Sequence, residues 1–300
     1  MVEVSVSAGV GAAACLVLLI DLLARLRVAV PTVHGDPQSV AARAVGKIGA
    51  AKGFWPSPWF GGLLGGHLQT IAYGLGLFAP RVPPYELETL SRPDGGTIAL
   101  AWVDTTKTAG PPLLADAPIV LILPGLGGSV AGSGYAIQAA LMHRLRPVVL
   151  HRRGDGHALT SPNFNLFGDC DDVRAAVTAI RMHYPDAMTT PLVLCSTSAG
   201  TGLAVRMTGD DRDASPFAAS FLNCPGYDIA IASHRCSQLY DAFYYVHRLK
   251  AKVLGANRAL LEAHNPIAFA RCMRAKTIHE FLVLASPFAA ARDVTFAACE

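Results

Sequence analysis

Pro191-Leu-Val-Leu-Cys195-Ser-Thr-Ser198-Ala-Gly200-Thr-Gly-Leu-Ala decides how the rest of the chain is read. Four apolar residues run into a cluster of small ones, and a helix-favouring segment follows. This is the layout of a buried strand, a very sharp turn and a helix. A serine held at such a turn has a strained backbone and projects its hydroxyl above the sheet edge. The usual pattern is G-x-S-x-G, because the residues two before and two after the serine pack too tightly for side chains. Here it is S-x-S-x-G: Gly200 fits, and Ser196 stands where the first glycine would be. The other reading of the pentapeptide is an ordinary strand-to-helix turn rich in Ser and Thr.

Upstream of that turn the chain alternates strands and helices. Glu86-Leu-Glu-Thr-Leu alternates, Arg92-Pro-Asp-Gly-Gly96 is a turn, and Thr97-Ile-Ala-Leu-Ala-Trp102 alternates again, which makes a β-hairpin. Ile119-Val-Leu-Ile-Leu123 is a continuous apolar run, suited to a strand covered on both faces. Tyr135 to Arg146 reads as a helix, Pro147 to His151 as a strand, and Asp171 to His183 as a helix with Val173, Val177 and Ile180 on one face. Leu192 to Cys195 and Phe217 to Cys224 are further strands. Alternation of this kind predicts an α/β fold with a doubly wound, mostly parallel sheet.

Pro124-Gly-Leu-Gly-Gly-Ser129 leaves the Ile119–Leu123 strand. A glycine loop there could cradle phosphate, but Val130 stands where the third glycine of G-x-G-x-x-G belongs, and no G-K-S/T follows. Nucleotide binding is therefore not expected, nor any other cofactor. The remaining reading is a loop whose backbone N–H groups face a developing negative charge. Downstream, Tyr227 to His279 is helical and rich in aromatic residues. In a sheet of this kind such a stretch either covers the site as a lid or packs at the periphery.

Hydrophobic residues make up 52% of the 300 residues and charged residues 16%, which is too apolar for disorder and high for a purely soluble protein. A net charge of +3, with no basic run interleaved with aromatics, excludes nucleic acid as an expected partner. The seven cysteines are scattered singly, without C-x-x-C or His/Cys metal spacing, and read as reduced thiols. Val4 to Ile20 contains no charged residue, Glu3 precedes it, and Arg25 and Arg27 follow. Charge on that side favours an uncleaved N-terminal anchor with the rest of the chain in the cytosol; the other reading is an apolar helix lying on the domain. Residues 31–84 form a polar linker with helical tendency, then an aromatic, glycine-rich segment. His67 within it could be a catalytic base or a structural imidazole bonded to nearby backbone.

Trp59-Phe-Gly-Gly with Gly66-His-Leu-Gln-Thr-Ile71, Arg92-Pro-Asp-Gly-Gly-Thr97 with Leu100-Ala-Trp102, and Leu121-Ile-Leu-Pro-Gly-Leu-Gly-Gly-Ser129 form one set of motifs. His151-Arg-Arg-Gly154, Leu159-Thr-Ser-Pro162, Asp172, Tyr184-Pro185, the Ser198 turn and Ala275-Lys-Thr-Ile-His-Glu-Phe281 continue it. In this order they resemble the AB hydrolase 4 family of membrane-anchored α/β-hydrolases, which includes mammalian phospholipase-like and yeast medium-chain ethyl-ester proteins, and the match covers roughly residues 53 to 281.

The resemblance implies an α/β-hydrolase fold: residues 1–30 as anchor, 31–84 as linker and family-specific segment, and 85–300 as the hydrolase domain, with a helical lid over about 225–280. It implies Ser198 as nucleophile, backbone N–H groups of Leu126 and Ala199 as oxyanion hole, and a lipid or other acyl ester as substrate. It gives no catalytic acid or histidine. His234, His247, His264 and His279 all lie in the lid stretch in the wrong context, and Asp293 does not match the family's acid motif. Leu282-Val-Leu-Ala285 could be one more strand. The expectation is a chain missing the last strand or strands of the family, either a truncated hydrolase or a non-catalytic acyl-binding or interaction protein on the same fold.

Overall fold

The computed structural model describes residues 34–52, 79–108, 111–166, 168–184, 189–228 and 245–290, with 11, 14–20, 22 and 231 besides. The chain divides into two compact units, Met1–Phe78 and Ala79–Glu300. In the first, helix α1 (Val40–Lys52) is started by Ser39, whose hydroxyl accepts from the Ala42 N–H at 3.1 Å. Residues 14–20 are also helical, with Leu16, Val17, Leu18 and Leu19 exposed. Among the described residues no helix is long and apolar enough to cross a membrane. Most of the 1–30 stretch expected as an anchor lies outside the described residues, as does His67.

The second unit is built on a six-stranded sheet of order β1-β2-β4-β3-β5-β6. Its strands are β1 (Tyr85–Ser91), β2 (Thr97–Val103), β3 (Ile119–Leu123), β4 (Arg146–His151), β5 (Leu192–Thr197) and β6 (Ala219–Asn223). The β1–β2 hairpin is antiparallel and β2 pairs antiparallel with β4, whereas β4, β3, β5 and β6 run parallel. Every residue of β3 is buried, as a strand covered on both faces requires. On one face Ile98, Leu100, Leu121, Leu150 and Leu194 pack under helices α3 (Asp171–His183) and α4 (Ala199–Asp211) through Val173, Ile180, Leu203 and Met207. On the other, Ala101, Val120, Ile122 and Val149 pack under α2 (Gly134–Met142) through Ile137 and Ala140.

From β3 the chain passes through α2 to β4 on one side, then through α3 to β5 on β3's other side. The strand order thus reverses between β3 and β5, and the crevice outside the carboxyl ends of those two strands is the place where such sheets bind ligands.

Two sequence expectations are corrected. The helix expected to reach Arg146 stops at Met142, because Arg144 turns the chain at φ 60° and its guanidinium donates to the carbonyls of Pro111 and Pro112. Leu282–Ala285 is not a strand: Leu282–Leu284 ends a helix over Ile278–Leu284, and Ala285 is its C-cap. Thr277 caps that helix by accepting from the Glu280 N–H at 3.0 Å, and the Glu280 carboxylate accepts from the Lys276 N–H at 2.7 Å.

Of the stretch expected to be helical, Tyr227 to His279, Tyr227 and Asp228 are not helical, residue 231 is, and helices follow from residue 245 onward; 229–230 and 232–244 lie outside the described residues. Helix α5 (Val246–Leu249) runs directly into a π-helical segment, Lys250–Gly255, followed by α6 (Arg258–His264), α7 (Pro266–Arg274) and α8 (Ile278–Leu284). These helices have a core of their own around Leu254, Leu261, Phe269, Phe281 and Phe288. It takes in Phe164 and Leu166 from the segment after β4, and Leu126 packs against it.

Candidate active site

The end of β5 carries Ser198 at φ 51° and ψ −121°, in the left-handed region that non-glycine residues avoid. The neighbouring strand holds it there: the Ser198 N–H donates to the Asn223 carbonyl of β6 at 3.0 Å. On its other side the Ser198 carbonyl accepts from the Thr201 N–H at 2.8 Å and from the Thr201 hydroxyl at 2.5 Å. Strain of this kind costs on the order of 1–3 kcal/mol and persists only where surrounding bonds enforce it. Its product here is an exposed serine at the mouth of the β3–β5 crevice, with α4 beginning at the next residue.

Gly200 has a steric reason to be glycine, since a Cβ there would lie 2.5 Å from the Leu123 carbonyl oxygen and 2.7 Å from that of Pro124. Ser196, in place of the pattern's first glycine, is fully buried. Its hydroxyl has no hydrogen-bond partner among the described residues.

The loop after β3 lies directly against the turn. A Cβ on Gly125 would come 3.3 Å from the Ser198 Cβ and 3.9 Å from its Oγ. The loop closes through the Gly128 N–H donating to the Gly125 carbonyl at 3.0 Å, with Gly127 at φ 61°. The backbone N–H groups of Leu126 and Ala199 flank this junction, and neither donates a hydrogen bond among the described residues. Two unspent donors beside an exposed hydroxyl can stabilise an oxyanion formed there.

Behind the loop sits the segment that leaves β4. Arg152, 3% exposed, donates to the Leu166 carbonyl at 2.8 Å and to the Gly125 carbonyl at 2.5 Å, and its Nε lies 3.4 Å from the Asp155 carboxylate. Burial pushes the Asp155 carboxyl above its ordinary range, against the attraction of Arg152, His151 and Lys252. His151 is buried, its Nδ1–H donates to the Asp155 carbonyl at 2.9 Å, and its Nε2 has no partner among the described residues. Burial also lowers the His151 pKa, so the neutral ring is favoured. From the π-helical segment the Lys252 ammonium donates to the Gly127 carbonyl at 2.8 Å, tying the C-terminal helices to the loop.

Arg153 points elsewhere, into a buried network. It grips the Asp172 carboxylate with two N–H groups at 2.8 and 2.9 Å and also donates to Asp94. Burial opposes its charge, but the bonds to Asp172 and Asp94 outweigh that and hold it firmly protonated.

Of the residues read from the sequence, Ser198 stands at the turn with Ala199 next in the chain, and Leu126 follows Gly125, which lies against Ser198. Arg152 is not legible in the sequence: only the adjacent arginines signal it, and their division of labour depends on carbonyls distant in sequence. Among the described residues no side chain is hydrogen-bonded to the Ser198 Oγ. Of the histidines weighed as bases, His247 and His279 are exposed, and His264 lies against the Phe288 ring at 6.2 Å; His234 is outside the described residues. No group of three or more His, Cys, Asp or Glu placed to hold a metal occurs among the described residues.

No family model matches the chain. It is 32% identical over 160 residues to human Protein ABHD15, across 52% of this chain and 33% of that protein. It is 27% identical over 213 residues to mouse Phospholipase ABHD3, across 68% of this chain and 50% of the relative. The chain therefore spans between a third and a half of the length of these curated relatives. Among solved structures, a fungal esterase from Rhizomucor miehei is similar at 16% identity and a TM-score of 0.38, with 64% of this chain and 61% of that one covered. Strand order, the placing of the sharp turn after β5 and the relatives agree: the chain is a member of the α/β-hydrolase superfamily.

Proposed function

We propose that the chain is the core of a serine carboxylic ester hydrolase of the AB hydrolase 4 type, acting on lipid or short- to medium-chain acyl esters. The observation that carries this reading is Ser198. Its hydroxyl is exposed from a strained turn at the switch point of the sheet, beside two N–H groups without acceptors. In the proposed reaction the Ser198 Oγ attacks the ester carbonyl carbon and its proton passes to a base. The resulting oxyanion accepts from the Leu126 and Ala199 N–H groups. The carbonyl re-forms as the alcohol leaves with a proton, and water hydrolyses the acyl-serine. The name of the mouse relative, a phospholipase, supports a lipid ester as substrate class. Neither a cofactor nor a nucleic-acid partner enters the proposal.

The test is labelling of the purified chain by a fluorophosphonate, with Ser198→Ala as control. Labelling in the wild type that vanishes in the variant is expected. A folded wild-type chain that does not label would overturn the hydrolase reading in favour of a non-catalytic acyl-binding protein on this fold.

The charge-free stretch from Val4 to Ile20, followed by Arg25 and Arg27, supports membrane attachment through residues 1–30 with the catalytic unit in the cytosol. Expressed in cells, the full chain is expected to stay in the membrane pellet after alkaline carbonate extraction, while a chain lacking residues 1–30 is released. Release of both would remove the anchor.

A further inference from the structure

The geometry points to Arg152 as a positioning residue for the oxyanion hole, one that orients and polarises the peptide unit joining Gly125 to Leu126. This rests on the hydrolase reading above. The carbonyl of that peptide and the Leu126 N–H belong to one planar group, and no cis peptide occurs among the described residues. In a trans peptide the C=O and N–H point in opposite directions. The Gly125 carbonyl is turned onto the buried Arg152 guanidinium and also accepts from the Gly128 N–H at 3.0 Å. The Leu126 N–H must therefore point away from the guanidinium, and it has no acceptor among the described residues.

Arg152 is itself fixed by the Leu166 carbonyl at 2.8 Å and by Asp155 at 3.4 Å, so the anchor is rigid before any substrate arrives. Two effects follow. A flip of the peptide would strand a buried guanidinium N–H, which makes the flipped state costly. A charge-assisted bond at the carbonyl also draws electron density from the amide and makes its N–H a stronger donor, most so where water is excluded. Both effects act on the charged transition state more than on the neutral ester, so removal of Arg152 should lower the rate of acylation rather than binding.

The test compares fluorophosphonate inactivation of the wild type, Arg152→Met, Arg152→Lys and Asn257→Ala. Asn257 is buried and ties Leu159, in the segment after β4, to Val253 of the π-helical segment, without touching Gly125. Arg152→Met is expected to lower the maximal inactivation rate by about ten- to a hundredfold with little change in half-saturating probe. That is less than the roughly hundred- to thousandfold of deleting an oxyanion donor outright. Arg152→Lys, which keeps a cation within reach of the carbonyl, should recover part of the loss, and Asn257→Ala should keep the wild-type rate in its folded fraction. In parallel, the ¹⁵N resonance of Leu126 should move more than any other amide of the loop in Arg152→Met.

A wild type that labels, with Arg152→Met labelling equally fast per folded molecule, overturns the inference. So does a rate loss that Asn257→Ala matches, since that marks a purely structural effect. If the wild type does not label, the hydrolase reading fails, and the Leu126 resonance then decides alone: a shift upholds the anchored peptide, and no shift removes it.

Discussion

Replacing Asp172 with alanine is expected to lower the unfolding free energy of the hydrolase unit by about 3–5 kcal/mol, the usual result of removing one partner from a buried ion pair. Asp172 is 1% exposed and stands in the first turn of α3. Its carboxylate accepts from Arg153 at 2.8 and 2.9 Å, from Arg92 at 3.0 Å and from Asn165 at 3.0 Å. Alanine would leave the Arg153 guanidinium, with only 4% of its side chain exposed, to Asp94 alone. Asp94 lies on the hairpin turn and is a third exposed. Burial raises its pKa, yet bonds from Arg153, Gly96 and Asn163 outweigh this and hold it below the ordinary carboxylate value, so Arg153 would keep one partner. That single contact with a partly solvated carboxylate cannot replace a bidentate buried one.

The network fastens three pieces of chain distant in sequence: the Arg92–Gly96 turn, the segment leaving β4 and the start of α3. Urea unfolding should show a lower midpoint, and thermal unfolding a midpoint lowered by between about 6 and 20 °C. A loss below about 1 kcal/mol would mean that water reaches the pair and that the three pieces are held by other contacts. Loosening there reaches the site as well, because Arg152 precedes Arg153 and holds the Gly125 carbonyl.

The network also shows what the sequence can and cannot reveal. Strand β3 was legible because five consecutive apolar residues have no solvated face, and α3 because Val173, Val177 and Ile180 recur at helical spacing. The Ser198 turn was legible for a different reason. An apolar strand ending in small residues admits few backbone paths, and Gly200 marks the closest approach. The end of α2 was not legible. Nothing in Met142-His-Arg-Leu-Arg146 breaks a helix, and the reversal at Arg144 is stabilised by carbonyls of Pro111 and Pro112 more than thirty residues earlier. Leu282–Ala285 carries two conflicting signals: its apolar run suits a strand, but Thr277 and Glu280 ahead of it have the spacing of a helix start, and the helix start decides. Arg152 is the opposite case, for besides Asp155 its partners are backbone carbonyls, which no residue type announces.

The second large effect is expected at Gly200. Alanine there places a Cβ 2.5 Å from the Leu123 carbonyl oxygen, 2.7 Å from that of Pro124 and 3.0 Å from the Leu123 carbonyl carbon. All three neighbours are backbone, in or just after the central strand β3, so none can rotate aside as a side chain would. Gly200 is not among the glycines at positive φ, so alanine is compatible with its backbone and the obstacle is space alone. The start of α4 must move off β3, and a displacement near 1 Å suffices for ordinary contact. The fold should tolerate this at about 1–3 kcal/mol, as for other overpacked positions. Chemistry should tolerate it less, since a misplacement of about 1 Å at a reacting group costs roughly a hundredfold.

The expected result for Gly200→Ala is therefore a chain that unfolds cooperatively a few degrees early and labels with fluorophosphonate about a hundredfold more slowly than the wild type. Ser196→Ala supplies the contrast on the strand side of the turn. It removes a buried hydroxyl with no partner among the described residues and adds nothing, so stability should hold or rise by about 1 kcal/mol with labelling unchanged. Wild-type labelling in Gly200→Ala would show that the close approach of α4 to β3 is a packing preference and not what places the Ser198 hydroxyl. Slowed labelling confined to Gly200→Ala would tie the reactivity of Ser198 to that approach, and would explain why the pattern keeps its second glycine here while the first has become serine.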